Sequence, residues 1–381
     1  MYNKKIVFAM ACLGLLLFGV SLITLGSITV DLKQKFVMDE IAKGALFSIL
    51  PIGILTGSLL FGPLSDRYGY KMIFVASGFL LAAGFAGIAY ADTIFLLRVC
   101  IFFFGLAGGA INGATNAIVS DISTEARGAN LSLLGVSFGI GALGMPFLLA
   151  SLRSDFSFKT ILTAVAVVTF IVSILFLFTR FPPPKQSQGF PLKKSLSLFR
   201  DTVIILIAFF LFMQSSFEAV INNWTTTYLT KQHSVSENNA LYALSLYVVG
   251  MTAMRLLTGS AFRSLAPAKV LAMSFAFILA GTGLMKFAES FQWIITGMIL
   301  LGAGLASGFP IMLGFVGDRY KEISGTAFSF VLVIALIGNM LVNYLMGIIS
   351  QQYGIHHLTT VIFAELAIMI LLFVLIIRKL K

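Results

Sequence analysis

Twelve apolar runs, each long enough to cross a lipid bilayer, leave this chain little choice of solvent or of fold. A hydrocarbon core about 30 Å thick takes roughly 20 apolar residues per helical crossing. The runs fall at residues 6–30, 42–64, 72–90, 93–119, 129–150 and 160–179, then 203–229, 240–261, 270–287, 291–316, 323–349 and 358–377. Inside a bilayer every backbone N–H and C=O must be bonded within the protein, so runs of this length read as helices. Of the 381 residues 59% are hydrophobic and 11% charged, against about 25% charged in ordinary soluble domains. The expectation is an all-α integral membrane protein with short loops and no sizeable soluble domain. The first run is too long for a secretory signal and lacks a small-residue cleavage site, so it is expected to stay as a span. Cys12 and Cys100 both lie in apolar runs and read as small buried residues.

Lysine and arginine set the orientation, because short cytoplasmic loops retain positive charge. With both termini inside, seventeen Lys and Arg fall on the inner side and seven on the outer, while Arg98 and Arg255 lie within spans. The same bias accounts for the formal net charge of +11. The expected anionic neighbour is therefore the bilayer surface rather than nucleic acid. The expected site is a bacterial cytoplasmic (inner) membrane with both ends cytoplasmic, and a monomer is expected.

The longest hydrophilic connection, FPPPKQSQGFPLKKSLSLFR at 181–200, separates six runs from six. Its prolines forbid a continuous helix. The expected organisation is a six-helix bundle at 1–180, a linker at 181–200 and a second six-helix bundle at 201–381. A shift of 197 residues superposes the halves without a gap. Asp121, Glu125, Gly128 and Ser132 fall on Asp318, Glu322, Gly325 and Ser329, and Gly53, Gly62, Gly105 and Gly141 fall on Gly250, Gly259, Gly302 and Gly338. Two pseudo-symmetric bundles from a duplicated unit follow.

The turn between the second and third spans, GPLSDRYGYK at 62–71, carries the most specific signal. It resembles the signature of the major facilitator superfamily, with Tyr70 where the first of two basic residues is usual. The resemblance implies a transporter fold of twelve helices. It also implies a gate in which Gly62, Asp66, Arg67, Gly69 and Lys71 latch the inner side, with Asp66 against the positive N-terminus of the eleventh helix. A wet turn with a left-handed Gly69 would use the same residues more plainly. The repeat adds Asp121 and Asp318 to the gating set, Arg127 on the same inner side is counted with them, and Arg255, near the inner end of the eighth span, is expected to anchor a gate.

Polar residues inside the spans are the candidates for function, since an unpaired amide in hydrocarbon costs several kcal/mol. Gln214, Glu218, Asn222 and Thr225 share one face of the seventh span, beside Asn223 and Trp224. Asn112 and Asn116 are four apart in the fourth span, Asn339 and Asn343 in the eleventh, and the first offers Thr24, Ser27 and Asp31. In the family the first, fourth, seventh and tenth helices line a central cavity, with the eleventh contributing. Amides also join membrane helices to one another, and Trp224 has a plain reading in the interfacial aromatic belt. Paired amides beside an indole suit a neutral polyhydroxylated ligand.

EAVINNWTTTYL, VSFGIGALGMPFLL and GAGLASGFPIML look like the sugar and cation symporter branch, the fucose, glucose and galactose carriers. That resemblance places Asn116 at a sugar-contacting asparagine and Asn112 where a carboxylate is usual. Glu218 is then the candidate coupling acid, exchanging a proton or giving oxygen ligands to sodium, and Asp31 lies near the outer end of the first span. The expected function is secondary active transport of a small polar solute, a sugar first, by alternating access with proton or sodium symport. No other cofactor and no metal site is expected, and no enzymatic motif is present. The rivals are a proton-coupled exporter of amphipathic compounds, an uncoupled sugar uniporter, and a non-transporting sensor or lipid handler. The glycine-rich stretch through Gly135, Gly139, Gly141 and Gly144 partly invites the exporter reading, though it lacks that signature's Gly-Pro pair.

Overall fold

The computed structural model describes residues 2–37, 40–123, 126–152, 154–184, 198 and 200–380. Among the described residues twelve helical stretches, one of them broken in the middle, are long and apolar enough to cross a membrane, and there is no strand. In chain order the helices are α1 (Lys4–Ser27), α2 (Thr29–Phe36), α3 (Glu40–Tyr68), α4 (Tyr70–Tyr90), α5 (Ile94–Ile122), α6 (Arg127–Leu152) and α7 (Phe158–Phe178). Then follow α8 (Thr202–Gln232), α9 (Glu237–Gly259), α10 (Pro267–Phe287), α11 (Phe291–Leu305), α12 (Gly308–Arg319), α13 (Ser324–Gln352) and α14 (Leu358–Leu380). Most of the expected linker at 181–200, and Glu125, lie outside the described residues.

The chain divides into two compact units. The first comprises Met1–Ile122, Ser137–Ser195 and Tyr320–Ser329, the second Ser123–Val136, Leu196–Arg319 and Phe330–Lys381. Each unit thus takes a short helical start from the other half of the sequence: the head of α13 belongs to the first, the head of α6 to the second.

Within each unit the repeat is visible as matched backbone contacts. A Cβ built on Gly105 would run into the carbonyl of Leu50, and one on Gly302 into that of Tyr247. Both glycines and both partners are related by the same shift of 197 residues. Only a residue without Cβ lets α5 lie so close on α3, and α11 on α9.

The tenth span departs from the continuous helix expected at 291–316. It breaks between α11 and α12 at Ala306 and Ser307. Pro310, in the first turn of α12, has no N–H to continue the ladder. The freed carbonyl of Leu305 accepts the Gln214 side chain from α8, Nε2 to O 2.7 Å, and Ser307 bonds with Thr258, 3.2 Å between hydroxyl oxygens. A Cβ on Gly308 would fall on Gln214 Oε1, so the glycine leaves room for that amide. Side chains here satisfy what the broken helix cannot, which a membrane interior requires.

Candidate functional site

In the first unit, α3 and α4 are separated by Gly69 alone, at φ 83°. This places Asp66, only 1% exposed, against the start of α13. Its Oδ1 accepts from Gly325 N at 3.2 Å, and its Oδ2 from Thr326 N at 2.9 Å and Thr326 Oγ1 at 2.7 Å. One carboxylate thereby closes a helix N-terminus, which favours its negative charge. Tyr70, where the family signature has a basic residue, donates its hydroxyl to Asp121 Oδ2 at 2.6 Å. Ser324 donates to Asp121 Oδ1 at 2.7 Å. A neutral phenol thus bonds the acid here. Arg67 lies 5.0 Å from the Tyr68 ring centre, and Lys71 is exposed. A Cβ on Gly62 would press on Gly325 O and Ser329 Cβ, 2.6 Å from each.

The second unit repeats the pattern with exchanged halves. Arg127 donates to Asp318 in a close ion pair; these two are the 197-residue counterparts of the Ser324 and Asp121 pair. Ser132 donates to the carbonyl of Arg255 at 2.9 Å, and Ser329 donates to the carbonyl of Ser58 in the first unit.

The polar stripes fall out unequally. On α5, Asn112 and Asn116 are the residues of 107–120 that are not buried. Asn116 Nδ2 donates to Asn112 O at 2.8 Å and Asn112 Oδ1 at 3.2 Å, so the pair presents a joined amide face from an otherwise buried stretch. Thr24 is fully buried, and its hydroxyl turns back to Val20 O at 2.6 Å. Asp31 sits half-buried on α2.

On α8, Glu218 is the residue of 214–221 that is not buried. Gln214 Nε2 donates to Glu218 Oε1 at 3.2 Å. The Arg255 guanidinium on α9 acts electrostatically on Glu218, and Arg255 Nη1 donates to Gly135 O at 3.3 Å. Arg255 is therefore shared between a helix contact and the neighbourhood of the acid. Asn222 and Asn223 are exposed and Trp224 half-buried. Trp224 Nε1 and Asn223 Nδ2 both donate to Asn343 Oδ1, at 2.8 and 3.3 Å, and Asn339 Nδ2 donates to Ser215 O at 3.2 Å. The two asparagines of α13 thus join it to α8.

Three residues outside the expected site belong here. Tyr247 on α9 is 1% exposed, its hydroxyl has no hydrogen-bond partner among the described residues, and it interacts electrostatically with Glu218 and Arg255. Ser132 is paired with Ser329 by the repeat, and the two make matching bonds. Glu365 is 4% exposed and is hydrogen-bonded to Ser216 on α8; nothing in its apolar surroundings in the sequence signals that partner. Among the described residues no three His, Cys, Asp or Glu side chains gather as metal ligands.

The model of the Major Facilitator Superfamily matches residues 9–263 and again 217–381. A crystal structure of the Escherichia coli fucose:proton symporter superposes with TM-score 0.82 at 19% identity, covering 97% of this chain and 98% of that one. The human sodium-dependent glucose transporter 1 is 24% identical over 388 aligned residues, covering 90% of this chain and 73% of its own. A multi-drug resistance efflux pump of Streptococcus pneumoniae is 25% identical over 169 residues, 44% of this chain and 42% of its own.

Proposed function

Because the chain belongs to the major facilitator superfamily, we propose that it carries a small polar solute, a sugar, across the membrane by alternating access in symport with a cation. The observation that carries this reading is Glu218: one accessible acid on a buried stretch of α8, held by Gln214 and facing a guanidinium. Such a group in a membrane span is expensive unless it serves an ion or solute path. Asn112 and Asn116 offer the hydroxyl-matching amides, with both donors and acceptors. The fold of the fucose:proton symporter and the likeness to a sodium-dependent glucose transporter support a sugar as solute.

The coupling ion we favour is the proton. Sodium needs several oxygen ligands and would bring a second cation beside Arg255. A proton neutralises Glu218 and leaves the guanidinium to its Gly135 contact. Alternating access then consists of loading Glu218 and the amides, release of the Asp66 and Asp318 latches, and their re-formation.

Export of amphipathic compounds is the second reading, supported by the likeness to an efflux pump over 44% of the chain. Accessible paired amides suit it poorly, since amphipathic cargo needs apolar and aromatic walls. Uptake of labelled neutral hexoses into proteoliposomes, with a proton gradient, a sodium gradient or neither, separates the readings. Accumulation driven by the proton gradient is expected. Dye efflux without sugar uptake would establish the exporter instead.

A further inference from the structure

α14 carries a single acid, Glu365, on its packed face with Leu358, Ile362, Leu366 and Met369. It stands seven residues past Leu358, about 11 Å along the helix at 1.5 Å per residue, a depth inside the hydrocarbon core. The side chain is 4% exposed. Its Oε1 meets the Ser216 hydroxyl of α8, and its Oε2 has no hydrogen-bond partner among the described residues.

Among the described residues no cation pairs with this acid. The elements packed against α14 are α8, α10 and the turn Ile355–His357. On α8, Tyr228 bonds with Thr359 and stacks with His233, Lys231 is exposed, and Glu218 follows Ser216 by two residues, which turns it to another side of the helix. On α10, Lys269 is exposed and Lys286 lies over the rings of Phe287 and Phe363, 5.4 and 5.9 Å from their centres. In the turn His356 and His357 stack on each other at 4.2 Å. Arg378 and Lys379 of α14 are exposed at its far end.

The number of protons available decides the state of the Glu365 and Ser216 pair. The Ser216 oxygen also lies 2.8 Å from Met213 O, and a hydroxyl has one proton to give. An ionised Glu365 would compete with Met213 O for that proton and would hold a full charge in hydrocarbon with one oxygen unpartnered. A protonated Glu365 instead donates to Ser216, which gives its own proton to Met213 O. Each proton then has an acceptor, and the atom left unpartnered is a neutral carbonyl oxygen.

We propose that Glu365 is a proton-binding site distinct from Glu218, occupied in the folded protein, through which α14 donates to Ser216 and holds α8. Loss of the proton would draw Ser216 to Glu365 and free Met213 O. A serine bonded back to its own helix bends that helix, so the proton on Glu365 sets the shape of α8 where it carries Gln214 and Glu218. The value of that shape for coupling rests on the transport function proposed above; the proton site itself does not.

Infrared spectra of the full-length protein in detergent at neutral pH read this proton through the C=O stretch of a carboxylic acid. Glu365→Gln should remove one such band, and Ser216→Ala should shift it, because the acid loses its acceptor. The band should persist in a Glu218→Gln background whether or not Glu218 couples transport. Stability gives a second readout. The folded chain keeps a proton that the unfolded chain sheds, so wild-type Tm should fall relative to Glu365→Gln as pH rises. At neutral pH the neutral amide should melt no lower than wild type, and Glu365→Ala should melt below both. Should Glu365→Gln fail to fold, the band shift in Ser216→Ala decides. An unchanged band in Glu365→Gln, a band lost in the Glu218→Gln background, or parallel pH profiles for wild type and Glu365→Gln would overturn the proposal.

Discussion

The Ser132 hydroxyl donates to the main-chain carbonyl of Arg255 at 2.9 Å. Its counterpart, Ser329 to Ser58, lies 197 residues along on both sides with the halves of the chain exchanged. The repeat therefore places at both positions a serine that holds one half's helix head against the other half's core. Ser132→Ala and Ser329→Ala should each lower stability by about 0.5–1.5 kcal/mol, one hydrogen bond to a carbonyl that keeps its own helix partner. The bonds lie in different units, so the double variant should show the sum of the two. Thermal melts of the three variants check this, and a coupling above about 1 kcal/mol would mean the two contacts are not independent.

Asp66 gives a larger effect with a graded signature. Asp66→Ala strips three hydrogen bonds from the head of α13, whereas Asp66→Asn keeps one acceptor oxygen and removes the charge. The expected losses are about 2–3 kcal/mol for alanine and about half that for asparagine. Measured Tm values in the order wild type, Asn, Ala support a helix-capping carboxylate. Asparagine as damaging as alanine would instead assign the whole effect to charge.

Glu218 and Arg255 should fail separately and recover together. Removing either partner leaves an uncompensated charge inside the second unit, which destabilises by about 1–3 kcal/mol, less than for a fully enclosed pair because Glu218 keeps some exposure. Glu218→Gln should keep solute exchange across the membrane and lose accumulation against a gradient, since a neutral amide cannot take up and release the ion. Arg255→Gln should lower Tm, and adding Glu218→Gln should return part of the loss. Accumulation that survives Glu218→Gln removes this acid from the coupling role.

The spans and the duplication were legible because they are one-dimensional. Apolar length counts out helices, and an ungapped shift shows itself in glycines placed where helices touch. The capping of α13 by Asp66 was legible through the resemblance of GPLSDRYGYK to the family signature, which implies that contact. Three features were not. The break at Ser307 depends on Gln214 arriving from α8, a partner 91 residues distant. Glu365 lies in an apolar run, and its burial is decided by Ser216 on another helix. The α13 asparagines read as solute ligands, yet their hydrogen bonds run to Ser215, Asn223 and Trp224; the same amide chemistry serves both purposes, and spacing alone does not separate them.

The Trp224 indole offers a direct optical readout of that last ambiguity. Its Nε1 donates to Asn343 Oδ1 at 2.8 Å while the ring edge approaches Gly347, where a Cβ would stand 3.6 Å from Cζ2. The chain has two tryptophans, so Trp293→Phe leaves Trp224 as the single reporter. In that background Asn343→Ala removes the indole's acceptor and should let the half-buried ring move toward water, shifting its emission to longer wavelength. Asn343→Asp keeps an acceptor oxygen and should leave the spectrum near wild type. If Asn343 serves the α8–α13 contact, the alanine variant also loses about 1 kcal/mol of stability and its solute KM moves only as far as Trp224 does. A several-fold rise in KM with unchanged emission would place Asn343 on the solute instead.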